Sequence, residues 1–130
     1  MIASLIEQHR EQRDILNGVD TLFAADPAHL SLTLPGRRLR FARCFHRHLA
    51  AERAFLARVA PGSLIASYEN GIRDLLADYS AHVLSWSRER VMADRDGYIM
   101  SATPLRDRLL VRLDWEEREL FPRLEPRAAA

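Results

Sequence analysis

The 130-residue sequence contains no lysine: all 19 basic residues are arginine, so no side chain can form a Schiff base or act as an amine nucleophile. Its single cysteine, Cys44, excludes an intramolecular disulfide and fits a reducing compartment. Glycine (5) and proline (6) are few, and 48% hydrophobic residues are too many for a disordered chain. The formal charge of +1 gives no overall attraction to nucleic acid or to an acidic membrane surface. No apolar run approaches the ~20 residues of a membrane span. The N-terminal stretch meets charge at Glu7, too early for the apolar core of a signal peptide. Strand-like alternation, internal repeats and low-complexity segments are absent as well. The expectation is one cytoplasmic domain, long enough to bury roughly two-thirds of its unfolded surface in a single core, with neither nucleic acid nor membrane as partner.

What is present is helical periodicity. Apolar residues recur at Ile2, Leu5, Ile6, Leu16, Val19, Leu22 and Phe23, with His9 on the same stripe. Ala24–His29 breaks that period, placing His29 in a loop, and Pro35-Gly36 marks a turn. A second helix is expected from Arg37 to about Ala60, ending at Pro61-Gly62. The arginines of its first turns read as a solvated face, because no nucleic-acid motif accompanies them. A third starts at Ser63 as N-cap, or nearer Tyr68 because Gly71 weakens its first turns, and ends in the polar run Ala93–Gly97. Its stripe is Tyr68, Ile72, Leu75, Tyr79, His82, Val83 and Trp86. The last helix starts at Thr103 as N-cap with Pro104 at the first position, and carries Leu105, Leu109, Arg112, Leu113, Glu116, Leu120 and Leu124. Four such helices with short or moderate connections predict an all-α fold, an antiparallel up-down-up-down four-helix bundle over residues 1–125, with 126–130 a disordered tail.

Each expected helix puts a polar group on its apolar face: His9; His48 with Glu52; His82; Arg112 with Glu116. His48 and Glu52 are four residues apart and stack on the face that carries Phe41, Phe45, Phe55 and Val59. A buried, unpaired carboxylate costs several kcal/mol or takes up a proton, so Glu52 requires a metal, a cation or a donor network. Facing helices of a bundle are where side-chain metal sites assemble, and imidazole with carboxylate suits iron, manganese or zinc. One histidine on an apolar face is ordinarily a hydrogen-bonded core residue; three on three helices, with two glutamates, point to a metal. The E-x-x-H spacing of ferritin-like di-iron oxidases does not occur, and no hydrolase or cysteine-nucleophile motif is present. Cys44 reads as a packed thiol, His46 as a surface or inter-helix residue, and Trp86 and Trp115 as packing at helix contacts.

These residues resemble those of the hemerythrin-like, or HHE cation-binding, family. The matching segments are Leu5-Ile6-Glu7-Gln8-His9-Arg10, His48-Leu49-Ala50-Ala51-Glu52, Tyr79-Ser80-Ala81-His82 and Glu116-Glu117-Arg118-Glu119-Leu120-Phe121-Pro122, spread over nearly the whole chain. The resemblance implies two irons bridged by Glu52 and Glu116, with His9 and His48 on one ion and His82 on the other. It also implies sensing of iron, oxygen or nitric oxide, or metal handling, through a protein partner or a homo-oligomer. The chain departs from the pattern at Arg112, which stands where the family has its fourth-helix histidine; a guanidinium is not a metal ligand. Asp114 is turned roughly 200° away from that position and Glu117 starts another face. Trp86 stands where the oxygen-carrying members have a second third-helix histidine. Two readings follow: an iron-binding protein on His9, His48, Glu52 and Glu116 with His82, or a metal-free interaction protein in which Arg112 reaches between Glu52 and Glu116.

Overall fold

In a computed structural model that describes residues 1–129, and the side chains of residues 1–125, the chain is helical almost throughout, with no strand among the described residues. The tail expected over Pro126–Ala130 lies outside the residues described in full. The elements are α1 (Ile2–Asn17), α2 (Val19–Phe23), α3 (Pro27–Val59), α4 (Gly62–Ser85), α5 (Arg88–Ala93), α6 (Arg95–Trp115), a π-helical turn (Glu116–Leu120) and α7 (Phe121–Ala129). Helix α1 packs on α3 and α6, α4 on α6, and α3 on α7, while α2 and α5 lie against α3. No helix among the described residues is long and apolar enough to cross a membrane.

Several expected boundaries move, each for a local reason. Asp26 caps α3 by accepting from the His29 N–H at 2.9 Å, with Pro27 in the first turn. His29 is therefore helical and exposed rather than in a loop. Pro35 does not end the helix. It and Gly36 face solvent, while Leu30 and Leu34 on one side and Phe41 on the other are buried, and that burial offsets one missing backbone hydrogen bond. The same holds at Pro104, inside α6: Asp94, not Thr103, caps that helix by accepting from the Gly97 N–H at 3.0 Å. Thr103 turns its hydroxyl back to the Ile99 carbonyl at 2.8 Å. Helix α4 begins at Gly62, so neither Ser63 nor Tyr68 starts it, and it stops at Trp86 (φ −110°, ψ 80°) instead of running to Ala93. The Trp86 ring packs against Tyr98 at 5.6 Å and under the Arg90 guanidinium at 3.9 Å, which anchors the chain where it leaves the helix.

Three apolar clusters line up along the helices. The middle one joins Ile15, Leu16, Phe41, Phe45, Leu49, Ile72, Tyr79, Leu109 and Leu113. One end holds Leu5, Phe55, Leu56, Tyr68, Leu120, Phe121 and Leu124. The other end holds Leu22, Phe23, Leu30, Leu34, Trp86, Val91 and Tyr98. Along α1, α3 and the last helices, His9, Glu52 and Glu116 fall between the residues of the middle cluster and those of the first end, with His48 beside Leu49 at the edge of the middle one. The polar groups are thus sealed in apolar material from both sides.

Because Pro35 is exposed within a continuous helix, Pro35→Ala restores a backbone hydrogen bond without disturbing packing. The expected gain is about 1 to 3 kcal/mol of stability, read as a higher urea midpoint at unchanged slope. A lower midpoint would mean that the chain turns at this proline.

Candidate metal centre

His9 comes from α1, His48 and Glu52 from α3, and Glu116 from the first residue of the π turn. All four are buried, with exposures of 0%, 2%, 0% and 1%. One ligand atom from each lies within 4.8 Å of all the others. His9 Nε2 is 2.8 Å from Glu116 Oε1, and His48 Nε2 is 3.2 Å from the same oxygen. The two Nε2 atoms are 3.0 Å apart, and His48 Nε2 is 3.1 Å from Glu52 Oε2.

The outward atom of each residue is held by a different partner. His9 Nδ1 donates to Glu117 Oε2 at 3.0 Å, and Glu117 is in turn paired with Arg13. His48 Nδ1 donates to the Gln8 side-chain carbonyl at 2.8 Å. The Tyr68 hydroxyl donates to Glu52 Oε1 at 2.5 Å, and Arg112 Nε donates to Glu116 Oε2 at 3.0 Å. Both imidazoles therefore carry their proton on Nδ1, and in the neutral form each directs an Nε2 lone pair inward. Two inward carboxylate oxygens meet them. Glu52 Oε2, fully buried, has no donor other than His48 Nε2, and then only when that nitrogen carries a proton. Four acceptors facing one another repel unless a cation, either a proton or a metal ion, lies among them.

The ionisation of the group reflects that demand. Burial alone lowers the His48 pKa, but hydrogen bonds and charges from Glu116 and Glu52 outweigh it and raise the value from 6.5 to about 9. Burial raises Glu52 to about 6, with the Glu116 charge adding and His48 opposing. At Glu116, burial is overcome by the hydrogen bonds from His48 and His9, which hold it well below the usual carboxylate range. Burial and the neighbouring Glu52 carboxylate push the Tyr68 hydroxyl far up, so it remains a donor.

The π turn explains why one histidine meets two adjacent glutamates. Pro122 has no N–H for the Arg118 carbonyl, and in a regular helix its ring would press on that carbonyl. The turn widens instead, with the Phe121 N–H bonding to the Glu116 carbonyl. Glu117 is thereby brought onto His9 rather than onto a separate face, a correction to the regular-helix expectation. Gln8, Arg13, Glu117 and Tyr68 were not singled out as site residues by the sequence. The available signals were the position of Gln8 beside His9 and that of Tyr68 at the head of an apolar stripe, and neither distinguishes a site from a core.

His82 does not join this group. Its Nδ1 meets the Ser101 hydroxyl at 3.0 Å and its ring packs on Tyr98 at 5.4 Å, beside the far apolar cluster. Arg112 is also placed differently from the expectation that it spans both carboxylates. It bonds Glu116 and stacks on Trp115 (4.2 Å) and Tyr68 (4.9 Å), while Tyr68 serves Glu52. Cys44 is buried and donates to Glu11 at 3.1 Å; burial raises its pKa, which fits a packed thiol. His46 is exposed. Comparison of the chain with protein-family models, with curated proteins and with solved structures gives no match.

A His48 pKa raised from 6.5 to about 9 contributes stability that is complete below pH 6.5 and disappears as pH rises through 9. In the presence of a chelator the protein is expected to lose up to about 3 kcal/mol between pH 7 and 10, measured from urea midpoints. His48→Gln flattens that slope; an equal slope in the variant would assign the loss to another group.

Proposed function

We propose that the chain is a hemerythrin-like protein, an antiparallel up-down-up-down four-helix bundle, that holds one iron ion on His9, His48, Glu52 and Glu116. The observation that carries this reading is the convergence of four buried acceptor atoms whose outward partners are all accounted for. Outer hydrogen bonds of this kind fix the tautomer and direction of metal-binding imidazoles and carboxylates. The donor distances of 2.8 to 3.2 Å also fit: two ligands about 2.1 Å from a shared ion lie about 3 Å apart when at right angles to it. Two imidazoles and two carboxylates without thiolate favour iron or manganese over softer ions.

The count of one ion follows from the outer oxygens. A second, bridged ion would take Glu52 Oε1 and Glu116 Oε2, but Tyr68 holds the first and Arg112 the second. Arg112 supplies one fixed positive charge there, and His82 is engaged elsewhere. Bound iron would supply a redox-active centre responsive to a small diatomic such as oxygen or nitric oxide. The chain's own contribution is burial, which excludes larger substrates, and a rigid outer shell that fixes the ligands. One ion per chain suits sensing or metal transfer rather than storage.

The Arg112–Glu116 ion pair supports a second reading, in which a proton on His48 takes the place of the ion and the protein is a metal-free interaction module. Elemental analysis separates the two. After purification without chelators and anaerobic iron loading, about one iron per chain is expected, and His48→Ala or Glu52→Ala should lower it by at least about tenfold. No iron in the folded wild type would establish the metal-free reading, and two would overturn the one-ion count. Arg112→His frees Glu116 Oε2 and adds an imidazole one turn before it. Its iron content is expected to rise above that of the wild type, with little change if Arg112 has no part in limiting the site.

A further inference from the structure

The end of the molecule away from the four acceptors contains a cavity of about 500 Å³. Its wall is formed by α1, α2, α3, α4 and α6 and is apolar almost throughout, with Phe23, Leu34, Phe41, Trp86, Tyr98 and Leu105 contributing the larger side chains. None of His9, His48, Glu52 or Glu116 lines it. The pocket is partly open to solvent, with Leu39 and Val83 exposed at its rim, so its apolar surface stays in contact with water unless something covers it. The volume falls within the range of small-molecule sites.

The charged groups in the wall are of one sign. It contains Arg37, Arg38 and Arg106, together with His82, and no aspartate or glutamate. Arg106 is already neutralised by Asp20 and Asp107, at 2.8 and 2.9 Å. Arg38 donates to the Trp86 carbonyl at 2.7 Å and lies over the Tyr98 ring, without a carboxylate partner among the described residues. Burial lowers the His82 pKa and the Arg38 charge lowers it further, so that charge is felt inside the cavity. Arg37 rests its guanidinium against Gly18, where an added Cβ would come within 2.7 Å of Nη1, and it too has no carboxylate partner among the described residues. Two half-buried guanidiniums without counter-ions therefore border an apolar chamber. A guanidinium in such a setting favours a carboxylate, which it can bind through two parallel hydrogen bonds.

Its lining residues run from Ile15 to Phe23 on the first two helices and from Tyr98 to Leu109 on α6, spans of roughly 12 to 16 Å at helical rise, along which an alkyl chain can lie. We propose that this cavity is a binding site for a free medium- to long-chain fatty acid, with its alkyl chain among the apolar walls and its carboxylate on Arg37 and Arg38. This site is independent of the metal reading.

The test is calorimetric titration of delipidated protein with dodecanoate below its micellar concentration, with dodecanol and dodecyltrimethylammonium as probes of the same chain length. One dodecanoate per protein is expected, with dodecanol at least about tenfold weaker and the cationic analogue not binding. Arg37→Gln with Arg38→Gln should weaken dodecanoate at least about tenfold and leave dodecanol unchanged. Ala102→Phe, which fills the chamber, should abolish binding of both, and iron content should stay at its wild-type value in all variants. Should the double variant fail to fold, Arg37→Gln alone carries the test, because that guanidinium supports nothing else. The proposal is overturned by dodecanol binding as tightly as dodecanoate, by arginine variants that bind normally, or by no binding. It is also overturned if anionic phospholipid vesicles are bound while the free acid is not, or if a dimer formed through this face excludes the acid.

Discussion

A carboxylate inside an apolar core is the constraint on which this structure turns. Glu52 and Glu116 sit where the helices would otherwise bury leucine, and two negative charges at that depth cannot persist without compensation. Each neighbouring helix contributes to it. Helix α1 brings His9 and Gln8, α3 brings His48, α4 brings Tyr68, and α6 brings Arg112. Removing any one partner leaves a buried polar atom unmatched, which typically costs more than the hydrogen bond itself contributed. The same network that positions candidate ligands therefore also ties the four long helices to one another.

The balance of charge within the network decides its chemistry. Both carboxylates are divided: one oxygen inward, one held by an outer donor. A guanidinium cannot lose its charge, so Arg112 compensates permanently on its side of Glu116. On the inward side the compensation is exchangeable in principle, because His48 can carry a proton, and the proposed metal ion would take that proton's place. The raised pKa of His48, about 9, and the proposed affinity of the cluster for a metal ion have a common origin in the same two carboxylates.

The two ends of the molecule handle polarity in opposite ways. At the acceptor cluster, the outward polar atoms are matched and the inward ones are closed in by Phe121, Leu5 and Phe55. At the far end the walls are apolar, Arg37 and Arg38 have no carboxylate partner among the described residues, and a partly open pocket of about 500 Å³ remains. Helices α2 and α5 shape that end. The break at Trp86 and the cap at Asp94 let the chain cross it without a long loop.

Periodicity alone determined the fold class: apolar stripes at helical spacing, with no alternation, can only be buried by helix against helix. It also determined that His9, His48, Glu52 and Glu116 face inward, because an i, i+4 pair on an apolar stripe has no other direction to take. Local signals failed where a distant contact outweighed them. Pro35 and Pro104 read as boundaries, but buried residues on both sides carry the helix through, and Trp86 ends α4 without a breaker in the sequence. His82 met the same pattern as His9 and His48 and lies apart from them, since a stripe gives a residue's face but not its height along the packed helices. The pairing of Glu117 with His9, the hydroxyl of Tyr68 on Glu52 and the attachment of Arg112 to one carboxylate rather than two were decided only by tertiary structure. Each depends on the relative height and rotation of separate helices, and these are set by packing between residues far apart in the chain.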